Sequence, residues 1–81
     1  MKRLLTERFS RSYRDAPRTV QKAFDKQSSL PLENIRHPSL RTKKYDEARD
    51  LWQARVNESW RFYFKIAGDT YVIEDIIPHP K

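Results

Sequence analysis

Apolar residues recur along this chain at two different periods. In the first third, Leu5, Phe9, Tyr13 and Ala16 follow helical spacing, and the Thr6 hydroxyl is placed to cap the helix they predict. Asp15 is placed to cap a second helix, with Pro17 in its first turn and Val20, Ala23 and Phe24 facing inward. That helix should fray at Ser28-Ser29 or stop near Pro31. Residues Lys2 to Leu5 offer an alternative, a short first strand. From Ile35 onward the period shortens to two. Leu40 to Tyr45, Leu51 to Val56, Trp60 to Ile66 and Thr70 to Ile77 read as strands separated by polar turns. The fold expected is α+β, with two N-terminal helices packed on one face of an antiparallel sheet of about four strands. Residues 1–81 are expected to form a single domain.

Alternation then assigns faces. Trp60, Phe62, Phe64 and Ile66 share one side and Arg61, Tyr63 and Lys65 the other. The aromatic side should lie under the helices, since that much apolar surface in water would invite aggregation. If Gly68-Asp69 forms a two-residue hairpin loop, Tyr71 and Ile73 fall opposite Ile66 and Phe64, while Val72, Glu74 and Ile76 join the polar face. If Asn57 to Ser59 is a three-residue loop, Trp52, Ala54 and Val56 join the core face, and Arg55 lands opposite Arg61. Like charges facing each other across strands destabilise a sheet by up to ~1 kcal/mol. A phosphate between the two guanidiniums would turn that repulsion into charge-assisted, bidentate binding. The plainer alternative is that the arginines splay into solvent or pair with Glu58 and Glu74.

Charge enlarges this picture. The formal net charge is +6 and 35% of residues are charged, a balance that suits an anionic partner (nucleic acid, an acidic protein, or both) and also suits solubility alone. Arg41, Lys43 and Lys44 form a basic run that reads either as a charged edge strand or as contacts to backbone phosphates. Tyr63, on the basic face, is the aromatic placed to stack on a base, whereas Trp52 and Trp60 group with the core. His37, before Pro38, and His79, between two prolines, could meet at one rim of that face and divide general base and general acid duties. Without cysteine, disulfides and CxxC metal sites are excluded, and two histidines without i, i+4 spacing make a poor zinc set. No metal or cofactor is expected. No apolar run approaches a membrane helix and the N-terminus is too short for a signal peptide, so a soluble cytoplasmic protein is expected.

His37-Pro38-Ser39-Leu40, Leu51-Trp52-Gln53-Ala54-Arg55-Val56, Trp60-Arg61-Phe62-Tyr63-Phe64 and Ile77-Pro78-His79 together resemble the RelE/ParE toxin superfamily, closest to its RelE/YoeB-like mRNA interferase branch. The resemblance covers nearly the whole chain through loose motifs. It implies the toxin of a type II toxin–antitoxin pair, cutting mRNA in the ribosomal A site, inhibiting translation and silenced by an antitoxin that covers the basic face. By the same resemblance, Arg61 matches the arginine that holds the scissile phosphate, Arg55 a second basic residue of that face, His79 a C-terminal general acid and Arg41 a basic position after the loop.

The chain also departs from the pattern. Where YoeB-like members place a glutamate general base, this chain has Pro38 with His37 beside it; Pro80 and Lys81 replace a final aromatic; and Gln53 and Arg55 stand on a strand where RelE carries lysines. Either His37 substitutes as base or the cleft is catalytically weak. The mechanism implied is metal-independent attack of a ribose 2′-hydroxyl on the adjacent phosphate. His37 takes the proton, His79 protonates the leaving oxygen, Arg55 and Arg61 stabilise the developing charge, and Lys43 is a further contact. Lys44 and Lys65 complete the expected RNA-binding set. The rival readings are a ParE-type inhibitor of DNA gyrase and a decayed toxin that only binds its antitoxin.

Overall fold

Thr6 is where the first strand becomes the first helix. A computed structural model describes residues 2–28 and 41–78. Strand β1 (Lys2–Leu5) runs into helix α1 (Glu7–Asp15), and the Thr6 Oγ1 accepts the Phe9 amide at 3.1 Å as the N-cap. The same hydroxyl lies 3.0 Å from the Ile73 carbonyl and 3.1 Å from that of Glu74, to which its proton can be donated. Helix α2 (Arg18–Gln27) follows after Ala16 and Pro17.

The second cap differs from the sequence expectation. Asp15 ends α1, and Pro17 is the N-cap, its carbonyl accepting the Val20 and Gln21 amides. The Val20 amide, which a side-chain cap would otherwise take, is satisfied by the Pro17 carbonyl at 2.9 Å. Gln21 Nε2 donates to the carbonyls of Tyr13 (2.8 Å) and Ala16 (3.3 Å), which ties the end of α1 to α2.

After residue 41 come β2 (Lys43–Asp46), β3 (Leu51–Arg55), β4 (Trp60–Ala67) and β5 (Thr70–Pro78). Among the described residues the sheet has five strands in the order β1-β5-β4-β3-β2. The sheet is therefore mixed, one strand larger than the expected four, because β1 pairs with β5 in parallel while the other pairs are antiparallel. All residues of β1 are exposed, so no hydrophobic alternation announces it. Its place is fixed by backbone bonds, such as Lys2 N–H to the Asp69 carbonyl at 2.8 Å.

The two short loops set the register as the sequence required. Ala67 pairs with Thr70 across Gly68-Asp69, and Gly68 adopts φ 60°, the left-handed geometry that a tight hairpin favours. At the other turn, the Asn57 Oδ1 accepts the Ser59 and Trp60 amides, each at 2.9 Å, closing an Asx turn.

One part of the register departs from strict alternation. Phe64 pairs with Ile73 but Tyr63 pairs with Asp75, so Glu74 is the extra residue of a β-bulge. The shift inverts the alternation beyond it. Ile76, expected on the polar face, is buried opposite Phe62, and Ile77 takes the place opposite Arg61.

The core lies between the helices and one sheet face. Phe9, Val20 and Phe24 from the helices meet Ala54, Phe62, Phe64, Tyr71, Ile73 and Ile76. Phe24 meets Phe62 edge-on at 5.2 Å between ring centroids. Burying each such ring contributes about 1.5–3 kcal/mol. No helix among the described residues is long and apolar enough to cross a membrane.

Candidate functional site

The face of the sheet away from the helices carries the cations. Arg55 and Arg61 are direct cross-strand partners on β3 and β4. Arg61 does not splay into solvent. Its NH1 donates to the Asn57 carbonyl at 2.6 Å and to the Trp60 carbonyl at 2.9 Å, folding the guanidinium back over the Asn57 turn. Burial first and then the Arg55 charge lower the Arg61 pKa below its ordinary value, with Tyr63 opposing them and Arg41 adding the smallest lowering. The group stays cationic at neutral pH. Arg41 thus joins the same positive field, and its backbone sits at φ 47°, a conformation uncommon outside glycine.

Neither arginine pairs with Glu58 or Glu74 among the described residues. Glu74 instead approaches Lys65, at 4.0 Å. The Arg55 backbone is held from behind, its carbonyl accepting from Gln27 Nε2 at 3.3 Å. The strand that carries one arginine is therefore anchored to α2, and the other arginine is anchored to the turn.

The remaining expected residues divide. Lys43 pairs with Gln53 and so shares the outer face, exposed. Lys44 does not belong there. It pairs across with Trp52, a core-side residue, and its ammonium lies 4.6 Å from the centroid of that ring while bonding to Asp50. The alternation of β2 alone puts the two lysines on opposite faces. Lys65 lies on the outer face, as expected.

Tyr63 also faces outward, yet only 5% of its surface is exposed. Its hydroxyl accepts from the buried Gln53 Nε2 at 2.9 Å, and Tyr45 packs edge-on against its ring at 4.9 Å. The aromatic open to a ligand is thus Tyr45, 55% exposed, which the basic run of β2 obscured in the sequence. His37 and His79 lie outside the described residues.

A second element of this face was not legible in the sequence. Beyond the arginine pair, β2 to β5 and the start of α1 enclose a cleft of about 200 Å³, lined by Tyr45, Tyr63, Lys65, Glu74 and Asp75 with Arg8 and Arg49 at its rim. Arg8 Nε bonds to Asp75 at 3.1 Å and Arg49 Nε to Asp46 at 2.7 Å.

No protein-family model and no curated protein matches the sequence. Solved structures do. YafQ from E. coli strain BL21(DE3) superposes with a TM-score of 0.80 at 12% identity, over 96% of this chain and 92% of that one. The isolated E. coli RelE toxin superposes with a TM-score of 0.77 at 16% identity, over 99% of this chain and 85% of that one. The fold is that of the RelE-type toxins. YoeB in its complex with YefM from Staphylococcus aureus matches equally well, with a TM-score of 0.77 at 10% identity, over 99% and 98% of the two chains. At such identities the RelE-type fold is retained while nearly every side chain has changed, so the site must be judged on its own geometry.

Proposed function

We propose that the chain is an RNA-cleaving toxin of a type II toxin–antitoxin pair, and that it holds the scissile phosphate between Arg55 and Arg61. The observation that carries this reading is their direct opposition, with the Arg61 guanidinium anchored to two backbone carbonyls. A sheet loses stability from such a pair, whereas an anion between them gains charge-assisted bonds from both. Because NH1 of Arg61 is engaged, its NH2 and Nε are the donors left for phosphate oxygens. The donors are positioned before substrate arrives, which is the condition for stabilising a transition state rather than merely binding a ground state.

In the reaction, the ribose 2′-oxygen attacks the adjacent phosphorus and the bond to the 5′-oxygen breaks, leaving a cyclic phosphate and a 5′-hydroxyl. One group takes the 2′-proton and another supplies the proton to the leaving oxygen. His37 and His79 fill these roles in the proposal on sequence grounds alone. Arg41 and Lys43 extend the cationic track along the RNA backbone. An antitoxin as the protein partner is supported by the RelE-type fold, and the ribosomal A site as the place of cutting is proposed on the sequence resemblance alone. A neighbour of the same fold has been solved in complex with YefM.

Mapping mRNA ends after induction, with wild type and Arg61→Ala in parallel, tests the reading. New 5′-hydroxyl ends that disappear in the variant support it. Ends that persist in Arg61→Ala remove the phosphate assignment. Growth arrest without new ends, together with inhibited gyrase supercoiling, replaces the ribonuclease by the ParE-type activity.

A further inference from the structure

Next to the arginine pair, the same sheet face holds a cleft that a phosphate does not explain. It combines an exposed aromatic ring, Tyr45, with a carboxylate and an ammonium, Glu74 and Lys65, at 4.0 Å from each other. The other ionic groups of the cleft are engaged more closely. Asp75 receives Arg8 Nε at 3.1 Å and the Ile76 amide at 2.9 Å, and Arg49 bonds to Asp46. Glu74 and Lys65 are the loosest pair there, half-exposed and beyond hydrogen-bond distance. The bulge puts Glu74 there.

We infer that this cleft is a nucleobase pocket selective for guanine, with Tyr45 as its stacking wall and Glu74 and Lys65 as the groups that read the base edge. This rests on the RNA reading of the neighbouring arginines. Lys65 lies four residues beyond Arg61 on β4, with Tyr63 between them on the same face, and four residues advance about 13 Å along a strand. The base read there is therefore that of a nucleotide next to the one whose phosphate sits on the arginines.

The pairing of groups selects the base. A carboxylate accepts and cannot donate, and an ammonium donates and cannot accept. Guanine presents two adjacent donors, N1–H and the N2 amino group, beside the O6 acceptor. Glu74 can take both donors in a bidentate contact while Lys65 donates to O6. Adenine and cytosine offer only one amino group beside a ring acceptor that a carboxylate repels, and uracil offers a single N–H between two carbonyls. Single-stranded RNA is read in this way, by stacking on an aromatic ring and by hydrogen bonds to the base edge.

The test uses the full chain and labelled oligouridine pentamers whose central base is G, A, C or U, with 2′-deoxyribose at all five positions to prevent cutting. Binding is followed by fluorescence anisotropy. The G-centred oligomer should bind at least about fivefold more tightly than the others, the lower end expected for a bidentate base contact. Glu74→Gln should erase that preference, bringing the G-centred oligomer level with the other three. Tyr45→Ala should weaken all four by about fivefold or more, and Tyr45→Phe should restore binding. Arg61→Ala should weaken all four while the ratio for G survives. Equal affinity for all four bases, lost only in Arg61→Ala, leaves the phosphate reading standing and overturns the pocket. A preference for another base, or a G preference that survives Glu74→Gln, overturns it too. No binding by wild type removes the RNA reading and this inference with it.

Discussion

Arg55 and Arg61 face each other across the β3–β4 hairpin, and only Arg61 is tied down, by the carbonyls of Asn57 and Trp60. The two residues should therefore answer differently to removal, although both are proposed to hold one phosphate. Arg61→Ala removes a positioned donor, with an expected loss of about 10²–10³-fold in cleavage. It also removes two hydrogen bonds to the turn, at a cost of about 1 kcal/mol in stability. Arg55→Ala should impair cleavage while leaving stability unchanged or raising it by some tenths of a kcal/mol, because a like-charge pair is relieved. Urea unfolding beside a cleavage assay reads both. An Arg55→Ala variant that unfolds more easily than Arg61→Ala contradicts this division.

The cationic track is open to salt titration. Removing one cation that touches a phosphate should flatten the slope of log K against log salt by about 0.7 for single-stranded RNA. Arg41→Ala, Arg55→Ala and Lys43→Ala should each do so. Lys44→Ala should not, since its ammonium lies over Trp52 on the other side of the sheet; a flattened slope in that variant would contradict its placement.

The hydrogen bond from Gln53 to the Tyr63 hydroxyl is buried. Tyr63→Phe leaves the Gln53 amide without that acceptor, which should cost about 1–3 kcal/mol by chemical denaturation. Replacing both residues by apolar ones of similar shape should recover most of the loss. If the single variant is as stable as wild type, the bond is not holding this face together.

Thr6 joins the helix cap to the bulged strand through one hydroxyl. Thr6→Ala should lower stability by about 1–2 kcal/mol. Thr6→Ser, which keeps the oxygen, should recover most of it in thermal melts.

Asp46 supplies a pH signature. A side-chain bond from Arg49, then backbone amides of the same turn, hold its carboxyl below the usual carboxylate range. A folded pKa below the unfolded one stabilises the fold above the unfolded value, and that contribution is lost as pH falls through the folded value. The Tm difference between wild type and Asp46→Asn should hold from neutrality to about pH 4 and close below it. A difference that is constant to lower pH would show that the charge of Asp46 is not involved.

The arginine pair was legible because two turns spell out their own lengths. Gly68 sits where a positive φ is required, and Asn57 carries the side chain that closes its turn. Between such fixed points, counting by twos places every side chain of β3 and β4. The bulge at Glu74 escaped because an extra residue leaves no mark in a stretch that is apolar on both sides of it. Strand β1 escaped because its partner is distant in sequence and its side chains are exposed. Tyr45 was hidden by its lysine neighbours, and its exposure depends on Tyr63 packing beneath it. Lys44 was grouped with Lys43 by charge, although a strand separates adjacent residues by face.

The bulge also makes position 74 one that the register of β5 does not need. Ahead of it β5 turns its odd-numbered residues inward (Tyr71, Ile73), and after it an even-numbered one, Ile76. Substituting Glu74 would alter what the cleft recognises and leave the two phases intact. Deleting it would close the bulge into regular alternation, with Asp75 still opposite Tyr63 and Ile76 still opposite Phe62, and would take the carboxylate out of the cleft. Position 74 is thus a spare link in the strand, so the chain can change or drop its ligand group without changing its fold.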